Sequence, residues 1–74
     1  MPLRVDLIQK MEHQVIANKL ADMAELDQLR ALAANNSAIN TENFGKQIQL
    51  LAIRDRHVAR ARAFIDAARM ILAE

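Results

Sequence analysis

The chain has 74 residues, a net charge of +1, one Gly, one Pro and no Cys. That length allows one domain at most, and one short of buried surface, the situation in which small domains gain stability by associating. Disulfides and thiolate metal sites are excluded, and the near-neutral charge gives no pointer to a polyanionic partner. Trp and Tyr are absent, and Phe44 and Phe64 are the only aromatic residues. The core must therefore be aliphatic. Abundant Ala, Leu, Gln, Glu and Arg favour helix throughout. The longest apolar stretch is far too short to span a bilayer, and no hydrophobic signal core follows Met1-Pro2-Leu3-Arg4, so a cytoplasmic protein is expected.

The first predicted element is a helix from about residue 2 to residue 35. Pro2 suits its first turn, where a missing N–H costs nothing. Val5, Ile8, Met11, Val15, Ile16, Leu20, Met23, Leu26 and Leu29 recur at mostly three- or four-residue steps. On a helical wheel they cover more than half the circumference, and the run from Leu20 to Leu32 drifts around the helix. One neighbour cannot cover so broad a stripe.

A turn is expected over residues 36–40, where Asn and Ser compete for backbone hydrogen bonds. Asn40 is the candidate N-cap of the second helix, with Thr41 as its rival. In that register Ile39 and Phe44 hold the positions of a hydrophobic staple. The second helix is predicted from about 41 to 73, with Gly45 weakening its start.

Two adjoining lines of this helix repeat every seven residues, the spacing of coiled-coil packing. One is Phe44, Leu51, Val58, Ile65 and Leu72; the other is Leu50, His57, Phe64 and Ile71. Ala61 and Ala68 lie where small side chains permit close approach of a neighbour. The expected fold is therefore all-α: an antiparallel two-helix hairpin, one line facing the sister helix and the other left over. Dimerisation into a four-helix bundle would cover the remainder.

The interface is accordingly assigned to Leu20, Met23 and Leu26 on the first helix. On the second it takes Leu50, Leu51, His57, Val58, Arg62, Phe64, Ile65, Arg69 and Ile71. Polar residues beside such a seam, here Lys19, Asp22, Asp55 and Arg62, are expected to pair across helices or subunits and set register. Leu50→Asp or Phe64→Asp is expected to disrupt the dimer or complex.

The stretch from Arg54 to Arg62 holds four arginines. Arg54, Arg56 and Arg60 are candidate contacts for an acidic partner or for nucleic acid, because Arg supplies the electrostatic part of such affinity. They form no continuous stripe, and no aromatic residue interleaves with them. Ordinary i, i+4 ion pairs, Arg62 with Asp66 and Glu42 with Lys46, are the simpler expectation. The two histidines lack metal-binding spacing, no phosphate loop is present, and Ser37 has no base nearby in sequence. The sequence thus predicts no enzyme, no cofactor and no metal. It predicts a homodimeric module that binds and inhibits, sequesters or chaperones another protein; a dimeric nucleic-acid-binding regulator is the alternative.

Overall fold

The computed structural model describes the backbone of residues 2–73 and the side chains of residues 7–73. Val5, placed in the apolar stripe above, lies outside the described side chains. Two helices account for almost everything: α1, Pro2–Asn40, and α2, Phe44–Ala73. They form an antiparallel hairpin 64 Å long and 14 by 10 Å across, measured on Cα atoms. The radius of gyration is 17.7 Å, against about 11 Å for a compact chain of this length. The molecule is a rod.

The turn falls later than the sequence predicts. Asn35, Asn36 and Ser37 continue α1, and the connection is Thr41, Glu42 and Asn43. Packing explains the difference. Ala34 and Ala38 are both buried, Ala38 to 1% exposure, and ending α1 at residue 35 would unwind the turn that carries Ala38. Two or three weak helix formers cost only some tenths of a kcal/mol each, which such packing overrides.

The cap also differs. Asn43, rather than Asn40 or Thr41, caps α2: its Oδ1 accepts from the Lys46 amide at 3.0 Å, and its carbonyl accepts from the Gln47 amide at 2.9 Å. Thr41 Oγ1 in turn accepts from the Asn43 amide. With Asn43 as cap, Ile39 and Phe44 lose the staple positions, and they are 69% and 73% exposed. At the far side of the turn, Gln47 Nε2 donates to the Ala38 carbonyl, one of the end groups α1 cannot satisfy itself. No described residue adopts a positive φ, so the turn needs no glycine.

The seam between the helices is built from alanine. Ala17, Ala24, Ala31 and Ala38 recur every seven residues on α1 and are all buried, as are Ala34 between them and Ala61 and Ala68 on α2. Among the described residues no large side chain is fully buried. Small residues let two helix backbones approach closely, but they remove little apolar area from water. Leu20 on α1, with Leu50, Phe64 and Ile71 on α2, contribute half-buried bulk along the same seam.

Helix α2 is nine residues shorter than α1. The Ala38–Gln47 contact fixes the register, and it brings the end of α2 level with the third turn of α1. Residues 2–11 of α1 therefore project past α2. At that open end Lys10, His13, Gln14, Ile71 and Leu72 line a depression of about 240 Å³.

Candidate functional site

Midway along the alanine seam stands one carboxylate. Asp27 is 2% exposed, and it occupies the position seven residues after Leu20 and seven before Ala34. His57 Nδ1 donates to its Oδ1 at 2.9 Å across the helix pair. Because the carboxylate oxygen accepts, Nδ1 carries the hydrogen. Arg60 Nε approaches Asp27 Oδ2 at 3.7 Å, and Arg30 Nη1 lies 4.0 Å from Oδ1, one turn along α1. The Arg60 guanidinium also sits 6.0 Å from the Phe64 ring centre, within cation–π range. Every buried side-chain polar atom among the described residues has a hydrogen-bond partner.

Asp27 and His57 are hydrogen-bonded to each other across the helix pair, the carboxylate enclosed and the imidazole partly open to solvent. Among the described residues no group of three potential ligands could hold a metal. The arrangement fits a register device: a buried polar pair costs stability unless satisfied, so it penalises any slip that would separate Asp27 from His57. Sequence reasoning missed Asp27 because it searched for bulky apolar residues. The signal was nevertheless present, as a polar residue on the sevenfold line shared by Leu20 and Ala34.

The structure sorts the predicted interface residues into three groups. Leu20, Leu50, His57, Phe64 and Ile71 stand half-buried on the inner seam. The two lines of α2 flank the buried Ala61 and Ala68, Leu50, His57, Phe64 and Ile71 on one side and the equally half-buried Leu51, Val58 and Ile65 on the other, and His57 reaches α1 directly through Asp27. Phe44 and Leu72 of the second line are exposed. Met23, Leu26, Arg62 and Arg69 are exposed and belong to neither line. Both Leu50 and Phe64 keep part of their surface open, so Leu50→Asp and Phe64→Asp would affect the hairpin's own packing as well as any outer surface.

The arginines are equally divided. Arg54 is half-buried: its Nη1 donates to Asn35 Oδ1 at 2.9 Å across the helices, while Nε and Nη2 both donate to Asp55 Oδ1. Arg60 leans on Asp27, and Arg56 is exposed. The expected Arg62–Asp66 and Glu42–Lys46 pairs are absent from the ion pairs of the described residues. Nor do Lys19, Asp22, Asp55 or Arg62 pair between the two helices of the hairpin. All four are exposed, and Asp55 pairs with its neighbour Arg54.

What remains is an outer face of α1. Ile8, Met11, Val15, Leu26 and Leu29 are between 47% and 61% exposed and follow one side of the helix, turned away from α2. At its N-terminal end Ile8, Met11, Glu12, Val15 and Ile16 form a shallow trough of about 440 Å³. No helix among the described residues is long and apolar enough to cross a membrane. Comparison with family models, curated proteins and solved structures found no match to the chain.

Proposed function

We propose that this chain is a small helical protein–protein interaction module, acting as a homodimer that binds and inhibits, sequesters or chaperones another protein. The supporting observation is the distribution of apolar bulk. The core is alanine, and among the described residues fifteen large apolar side chains, from Leu7 to Leu72, are exposed. The accessible surface is 5996 Å², whereas a compact protein of this mass exposes about 4,600 Å². The rod thus carries on the order of 1,400 Å² more surface than a globule, enough for an interface of ordinary size at about 800 Å² per partner.

The nucleic-acid alternative gains no such support. Arg54 is tied to Asn35 across the helices, Arg60 leans on Asp27 from an exposed position, and Arg56, Arg62 and Arg69 do not join them in a continuous basic track.

Light scattering coupled to size exclusion at micromolar concentration tests the reading. A dimer is expected, and a stable, well-folded monomer would contradict it. Duplex DNA or RNA binding that falls steeply with salt and with Arg56→Ala would favour the alternative instead.

A further inference from the structure

The outer stripe of α1 is self-complementary. Read from either end it runs apolar, charged, apolar: Ile8, Met11 and Val15, then Lys19 and Asp22, then Leu26 and Leu29. The apolar members are about half exposed, and Lys19 and Asp22 are exposed between them. Residues one heptad apart define two adjoining lines here, Val15–Asp22–Leu29 and Lys19–Leu26, the pattern of a second coiled-coil seam.

We infer that a second copy of this chain covers the stripe, packed antiparallel about a twofold axis, with Lys19 of each protomer facing Asp22 of the other. The inference rests on the dimer reading above and names its surface and register.

Three observations carry it. The first is charge. A twofold, isologous interface requires residue i to meet residue j and j to meet i. Antiparallel packing satisfies this with two Lys19–Asp22 pairs, whereas parallel packing would set like against like at both positions. The second is packing. The same register places Val15 opposite the partner's Leu26 and Ile8 opposite the partner's Ala33, and it sets Glu12 opposite the partner's Leu29 with the partner's Arg30 one residue away. A slip of about seven residues one way would set Asp22 against the partner's Glu12.

The third is the open end of the hairpin. The register sets Ile8 and Met11, where α1 projects past α2, beside the partner's Ala33 and Arg30, so the partner's α1 stands there in place of water.

Charge exchange provides the test. Lys19→Asp alone puts acid against acid twice, and Asp22→Lys alone puts base against base twice. Each is expected to weaken self-association by about tenfold or more. Mixing the two variants restores opposite charges at both places, so a heterodimer of near wild-type affinity is expected, as it is for the doubly exchanged chain. Circular dichroism of each variant confirms that the hairpin persists.

Cross-linking reports the direction directly, because the chain has no cysteine of its own. Val15→Cys combined with Leu26→Cys is expected to give a covalent dimer on oxidation, while Val15→Cys alone gives none. A Val15→Cys cross-link on its own would indicate parallel packing and overturn the proposal. A wild-type dimer indifferent to both single charge reversals would also overturn it, while leaving the homodimer reading intact. A wild-type monomer at micromolar concentration would remove both.

Discussion

The two sides of α1 invert the usual order of a helix. The side facing α2 presents Ala17, Ala24, Ala31 and Ala38, while the opposite side carries Ile8, Val15, Leu26 and Leu29 in the open. A helix ordinarily turns its large apolar residues toward its neighbour, because each buried side chain of that size contributes about 1.5–3 kcal/mol. Here that contribution is held back from the hairpin. Close backbone approach and one satisfied polar cluster hold the pair in register, and the bulk stays exposed on the opposite side.

If the inner seam depends on small residues, enlarging one should hurt most. Ala24→Leu is expected to destabilise the hairpin by about 3 kcal/mol, read by urea denaturation, because extra methylenes force the backbones apart. A loss under about 0.5 kcal/mol would mean that the seam has slack and that the two faces differ less in packing.

The polar cluster should come next. Asp27→Ala is expected to cost about 2 kcal/mol, since it leaves His57 without its partner on the seam. Asp27→Leu with His57→Leu should recover or exceed wild-type stability, as apolar replacement of buried polar pairs often does. If the double substitution proves as harmful as the single one, Asp27 does more than satisfy its neighbours.

Gly45 touches neither face and serves as a control on helix propensity alone. A Cβ there would meet only the Asn43 side-chain oxygen, at 3.4 Å. Gly45→Ala should therefore stabilise α2 by at most about 1 kcal/mol. The outer stripe should respond least within a single protomer. Leu29→Ser, measured at concentrations too low for association, is expected to change unfolding free energy by less than about 0.5 kcal/mol. A large loss would place Leu29 in the hairpin's own core.

The two-helix architecture was legible because helix formers run unbroken on either side of one polar segment. Its finer boundaries were not. Asn35, Asn36 and Ser37 read as a turn by propensity, but Ala38 must be helical to fill the seam, and propensity is blind to that demand. The two sevenfold lines of α2, through Leu50 and through Leu51, were visible, and the structure sets the buried Ala61 and Ala68 between them. Their counterpart on α1 was hidden, because a search for bulky residues passes over alanines at every seventh position and over Asp27 among them. The breadth of the α1 stripe signalled a second surface, though it also drew Met23 and Leu26 into the same interface as Leu20.

The projecting end of α1 has a consequence for exchange of its amide hydrogens. A helical segment of about ten residues without tertiary support is marginal in water. In an isolated protomer, residues 2–11 should exchange rapidly while the amides around Ala24 and Ala31 stay protected. Any molecule that settles on the outer face would lengthen protection from Met11 toward the end of the rod. The first three turns of α1 thus act as a gauge: their exchange rate reads out occupancy of the neighbouring surface, whatever the occupant.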